Sequence, residues 1–158
     1  MQNETWNEFK QRVWGTDYEI WHDGIESGGL DFYIQKEGSH VKEMLLKGLE
    51  AEDPTAVLGL YSFPADEIVD DLKKAFLRSA SHFKIELAKL LYTIDEENRG
   101  AYRDTLIDRL QNAGDPGVQI AAAEAMSGFN DEAMQQALTQ ASKNADDNLV
   151  RAAALRSL

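Results

Sequence analysis

The sequence predicts an all-α protein, a right-handed α-α solenoid of about four stacked helical hairpins behind an atypical amino-terminal cap. Three observations carry that expectation. The segment Asp115-Pro116-Gly117-Val118-Gln119-Ile120-Ala121-Ala122-Ala123-Glu124-Ala125-Met126 recurs as Asp147-Asn148-Leu149-Val150-Arg151-Ala152-Ala153-Ala154-Leu155-Arg156-Ser157-Leu158. Setting Val118 on Val150 gives a shift of 32 residues, and setting Phe83 on Val118 gives 35. Apolar residues three to four apart alternate with breaks at Asp-Pro, Phe-Pro and Gly-Asp-Pro, the pattern of short amphipathic helices. Finally, 158 residues with 43% hydrophobic content suffice for one domain with an extended core.

Taken in order, Trp6, Phe9, Val13 and Trp14 suit one amphipathic helix. Gly15, Gly24, Gly28, Gly29 and Gly38 then punctuate a stretch expected to be irregular. Residues 1–40 are therefore expected to cap the array, burying Trp6, Trp14, Trp21, Phe32 and Tyr33 against the first hairpin; the alternative is that some of these aromatics anchor a partner. Residues 41–158 form the repeat array. Val41, Met44, Leu45 and Leu49 make one stripe, and Asp53-Pro54 starts a short helix through Ala56, Val57, Leu60 and Tyr61. Ile68, Leu72, Ala75 and Phe76 face inward, opposite Asp66, Asp70, Asp71, Lys73 and Lys74. Helices through Phe83 to Leu91 and Tyr102 to Leu110 follow, the second closed by Gly114 as a carboxyl-terminal cap. The pattern continues over Val118 to Met126, Ala133 to Ala141 and Leu149 to Leu158. Alanines 121–123 and 152–154 are expected at close helix contacts.

The segment around Val118, with its Asp-Pro turn, Val, alanines and closing apolar residue, looks like the second helix of a HEAT repeat. Asp147, Val150, Arg151, Ala153, Ala154 and Leu158 fit the same positions, and Phe83 to Leu91 fits in apolar spacing. Where the family often has Arg, this chain has Gln119 and Lys84, so a continuous Asp–Arg ladder is not expected. The resemblance implies first helices on a convex side and second helices on a concave side.

The net charge of −12, from 28 acidic and 16 basic residues, disfavours nucleic acid and anionic membranes and favours a basic protein partner. Without cysteine, disulfides, thiolate metal sites and cysteine nucleophiles are excluded. The start of the chain lacks a secretory signal and no stretch reaches the roughly 18 apolar residues of a membrane span, which predicts a soluble, cytoplasmic protein. Leu158 closes the sequence inside an apolar helical pattern, so either the native chain is longer or that face packs on something.

No catalytic residue, metal site or cofactor motif is predicted. His22, Asp23 and Glu26 could supply ligands, but His40 and His82 are remote and no His-Glu-x-x-His or calcium loop occurs. Gly24 to Gly29 lacks the Lys-Ser or Lys-Thr of a phosphate loop. Glu52-Asp53 and Asp146-Asp147 are expected to cap helices rather than act as acid and base. Some DNA-repair glycosylases use HEAT-like repeats, yet they need a basic groove, and Glu86 and Glu124 stand on the corresponding helices here.

An acidic, cysteine-free, HEAT-like chain with an aromatic cap also resembles some bacterial immunity proteins, which neutralise a toxin by covering or distorting its active site. That resemblance implies a non-enzymatic binding module. The residues expected to meet a basic partner are Asp66, Asp70 and Asp71 on one ridge, and Tyr18, Trp21, Asp23, Glu26 and Asp31 in the amino-terminal segment. The alternatives are a structural adaptor or assembly subunit and, below that, an enzyme subunit of the HEAT-like lyase type.

Overall fold

A computed structural model describes residues 3–23 and 27–158. Among them are ten α-helices and no strand. The chain divides into two compact units, residues 1–71 and 72–158, a boundary that falls inside the fifth helix.

In the first unit, α1 (Trp6–Trp14) opens on a capping box: the Glu8 N–H donates to Thr5 Oγ1 at 3.2 Å and the Thr5 N–H to Glu8 Oε2 at 2.8 Å. It closes at Gly15, whose φ of 93° requires glycine. A short α2 (Asp17–Asp23) follows, then α3 (Ser27–Glu50) and α4 (Pro54–Leu60). α1 packs on α3, and α3 on α4. Trp6 and Phe9, Leu30, Val41, Met44, Leu45 and Leu49, and Ala56, Val57 and Leu60 form the buried core. The fit at the helix crossing depends on Gly48. A Cβ there would stand 2.6 Å from the Trp6 ring and 2.8 Å from the Ala56 Cβ.

Two expectations about this unit are corrected. The glycine-punctuated stretch is not irregular where it is described: α2 and α3 occupy most of it, with one non-helical residue, Glu37 (φ −148°, ψ 44°), bending α3. Gly29 and Gly38 sit in helix without positive φ. Burial of the Leu30 to Leu49 face outweighs the roughly 1 kcal/mol that each glycine costs a helix. Phe32, expected in the core, is 57% exposed. It lies two residues from buried Leu30, and so on nearly the opposite side of α3.

The fifth helix, α5 (Ala65–Arg78), buries Ile68, Leu72, Ala75 and Phe76. In the second unit its carboxyl-terminal half meets α7 (Arg99–Asn112) through Phe76 and Tyr102, edge to face at 5.2 Å. α6 (Ser81–Ile94), α8 (Pro116–Ala125) and α10 (Asn148–Ser157) form one layer, α6 packing on α8 and α8 on α10. α7 packs on α9 (Glu132–Asn144) in the other layer, and α7–α8 and α9–α10 are the hairpins. This arrangement, in which each helix meets only its neighbours in the stack, is an all-α solenoid.

Aspartates set the hairpin turns. Asp115 caps α8 through the Gly117 N–H at 2.8 Å, Asp131 caps α9 through the Met134 N–H at 3.0 Å, and Asp147 caps α10 through the Leu149 and Val150 N–H groups at 2.8 and 3.2 Å. Gly114 does not cap α7 as expected. The helix ends on Ala113 in an extended conformation (φ −66°, ψ 134°), which turns the chain towards Asp115 without a left-handed residue.

Candidate protein-docking surface

The carboxylates of this chain are unevenly placed. Residues 1–71 hold 16 acidic and five basic side chains, whereas residues 72–158 hold 12 and 11. Nearly all the net negative charge therefore belongs to the first unit, and the repeat unit is close to neutral.

Three of those five cations are held by internal pairs. Arg12 meets Glu4 and Glu37, each at 2.7 Å. Lys10 meets Asp53 at 2.9 Å and Asp17 at 3.0 Å, and Lys47 meets Glu43 at 3.5 Å. Arg12 and then His40, whose Nε2 stands 2.6 Å from Glu4 Oε2, outweigh partial burial and hold the Glu4 carboxyl down at about 2. Asp53 receives the Trp6 indole N–H at 2.9 Å on the oxygen that pairs with Lys10, while its other oxygen caps α4 through the Thr55 N–H at 3.0 Å. Burial opposes its charge, but these donors prevail and lower its pKa.

These pairs serve the fold and leave a different set of carboxylates facing water. Asp66 and Asp70 stand one turn apart on the exposed side of α5, with Glu67 beside them and Asp71 half-buried at the flank. Among the described residues no ion pair neutralises any of the four. Helical spacing thus brings Asp66 and Asp70 together. The second set lies on other elements. Tyr18, on α2, is 66% exposed and stacks on His22 at 5.7 Å. Asp31 is exposed on α3. Trp21 and Asp23 lie on α2, with side chains outside the described residues, and Glu26 lies outside them altogether.

The aromatic residues divide between core and surface. Trp6 is buried and Trp14 and Tyr33 are half-buried. The Trp14 Nε1 is buried without a hydrogen-bond acceptor. Phe32, missed as a surface residue, carries Lys36 Nζ 5.2 Å from its ring centre. Its position two residues from Leu30, on the opposite side of a helix, is the signal in the sequence, and it is legible only once the segment is helical.

The repeat unit holds its polar groups differently. Asp95, 8% exposed, accepts from Tyr102 Oη at 2.5 Å and from Asn98 Nδ2 at 3.0 Å, with Lys73 Nζ at 3.5 Å. The Tyr102 hydroxyl leads in holding the Asp95 carboxyl below the usual range, and burial together with Asp95 raises the pKa of Tyr102. Tyr92 Oη donates to Asp131 at 2.8 Å, joining α6 to the start of α9. Every one of these groups has a partner within the stack, an arrangement suited to structure rather than proton transfer.

Among the described residues, no three His, Asp or Glu side chains stand close enough to share a metal ion, and no helix is long and apolar enough to cross a membrane. A groove of about 490 Å³ in the repeat unit, lined by Gln111, Gln119, Gln140, Asn144 and three alanines, holds Asp146 as its one charged residue.

No curated protein matches the chain, and neither does any solved structure. The family model for HEAT repeats matches residues 69–158, which covers α6 to α10 and most of α5. Such repeats generally mediate protein–protein interaction and serve as scaffolds rather than catalysts. The match spans more than half of the sequence and coincides with the stacked unit, and the chain belongs to the HEAT-repeat family.

Proposed function

We propose that this chain is a non-enzymatic binding module of the immunity type, acting in the bacterial cytoplasm, which neutralises a basic toxin on the acidic surface of residues 1–71. The observation that carries the reading is the charge partition: 16 acidic residues against five basic ones in the first unit, with Lys10, Arg12 and Lys47 committed to internal pairs. The remaining carboxylates create a negative field that steers a basic partner inward. Against a nuclease, Asp66, Asp70 and Asp71 stand in for substrate phosphates. Tyr18 and Asp31, with Trp21, Asp23 and Glu26, extend the contact with aromatic anchors and further charge.

The test is capture of partners from native lysate by the chain and by its Asp66→Lys, Asp70→Lys, Asp71→Lys variant, with identification by mass spectrometry. A basic protein that binds at low salt, elutes as salt rises and loses affinity for the variant supports the reading. Unaltered affinity, with helical circular dichroism preserved, rejects the ridge. A second reading, a structural adaptor or assembly subunit, is favoured by the exposed leucines of α10.

A further inference from the structure

The last two hairpins carry equivalent grooves. Gln140, Ala141, Asn144 and Ala145 line the groove of about 490 Å³ on one side, with Leu110 and Gln111 of α7 on the other. At the shift of 32 residues that sets Val150 on Val118, their counterparts Asp108, Arg109, Asn112 and Ala113 line a second groove, of about 320 Å³, beside Ala80 and Val118. Both grooves lie where the first helix of a hairpin ends, α7 at Asn112 and α9 at Asn144. They are successive stations along one edge of the stack, with the end of α7 between them.

The larger station offers hydrogen bonds with little charge. Gln111, Gln140 and Asn144 are exposed, and their amides make no hydrogen bond within the chain. The Gln119 Nε2 donates to the Leu110 carbonyl at 3.0 Å, which leaves its amide oxygen as an acceptor. The same residue opens the smaller station. Arg151, its counterpart, donates to the carbonyls of Ala145 and Asp146. The shorter Gln119 stops at Leu110, and the equivalent carbonyls of Ala113 and Gly114 receive no hydrogen bond. The carboxylates are committed with one exception. Asp108 meets Arg109 at 3.1 Å and Asn112 at 2.9 Å, and Asp115 caps α8, whereas Asp146 has no such partner among the described residues.

We propose that the two grooves form one track for an extended, basic segment of a partner protein, held mainly through its main chain. Free amides and open carbonyls match the N–H and C=O groups of a peptide backbone. Two stations one hairpin apart suit a chain rather than a compact ligand: helix axes 8 to 10 Å apart correspond to about three extended residues. Other polymers find less. The one cation, Arg109, is held by Asp108, so phosphates meet no free counter-charge. Among the described residues no aromatic ring lines either groove, so bases and sugars have no stacking surface. Asp146 then fixes the register by pairing with one Lys or Arg of the segment. This track belongs to the repeat unit and does not depend on what the acidic ridge binds.

The probe is a library of end-capped random heptapeptides, long enough for both stations, offered to the full chain at physiological salt. The expected result is a set of enriched sequences sharing a Lys or Arg at one position. Their affinity falls at least about tenfold for the Gln140→Ala, Asn144→Ala variant. It falls similarly when alternate peptide nitrogens are methylated, which removes main-chain donors and keeps every side chain. Asp146→Asn erases the advantage of the basic residue, and Gln119→Arg, which covers the Ala113 and Gly114 carbonyls, weakens binding again. These side chains are exposed or half-buried, so the variants retain their fold, which circular dichroism verifies. Failure to enrich any sequence overturns the proposal. Peptides that bind the Gln140→Ala, Asn144→Ala variant unchanged overturn it too, as do peptides lost only with Asp66→Lys, Asp70→Lys, Asp71→Lys, which assigns them to the ridge.

Discussion

Glu52 and Asp53 occupy the junction where α3 gives way to α4, and each shows what a sequence reveals at the scale of one residue. Asp53 followed by Pro54 is legible as a helix start, because an acidic cap and a proline in the first turn favour the same event. Nothing local announces that its second oxygen holds Trp6 and Lys10, 47 and 43 residues away. Glu52 is hidden in a different way. The Asp53 N–H reaches the Gly48 carbonyl at 3.0 Å and the Glu52 N–H the Leu49 carbonyl at 3.1 Å, the paired bonds of a Schellman cap. The left-handed position is filled by glutamate at φ 55° rather than glycine. Glu52→Gly relieves that conformation, and the expected outcome is a stabilisation of about 0.5–1 kcal/mol. The denaturant midpoint measures it, and a lower midpoint contradicts the assignment.

At the scale of elements, periodicity succeeded where the apolar stripe was continuous. α5 to α10 follow from spacing alone, and the acidic ridge was found because Asp66 and Asp70 stand on the face opposite Ile68 and Leu72. The amino-terminal elements are legible only in part, because glycine breaks a helix unless burial of the apolar face outweighs its cost, as it does in α3. A positive signal was present: the Thr16 N–H donates to Glu19 Oε2 at 2.6 Å and the Glu19 N–H to Thr16 Oγ1 at 3.3 Å. That is the capping box that starts α2, visible as Thr-x-x-Glu. For α1 the decisive residue is Trp6, whose ring fills the space left by Gly48 and whose N–H reaches Asp53. Trp6→Ala opens this packing and leaves Asp53 with one donor fewer, a loss of about 3–5 kcal/mol. Thermal melting tests it, and a small change would place Trp6 outside the cooperative core.

At the scale of the whole molecule, the net charge of −12 divides at the unit boundary into an acidic unit and a nearly neutral one. A single net charge concealed the difference, since unit boundaries are set by contacts rather than by composition. The partition predicts unequal responses to salt. Repulsion among the carboxylates of residues 1–71 opposes their folding, and screening relieves it. Hydrogen exchange at low and at physiological ionic strength should therefore slow in α1, α3 and α4 as salt rises while α6 to α10 change little. Equal responses would refute the partition as an energetic feature. The boundary between the units also runs through α5, with Ile68 buried on one side of it and Leu72, Ala75 and Phe76 on the other. A gene fragment cut there would leave each half with an incomplete amphipathic helix and bare apolar side chains. An exchange of halves at this point would keep a complete apolar stripe on α5 only where the incoming half carries apolar residues at the positions of Ile68, Leu72, Ala75 and Phe76.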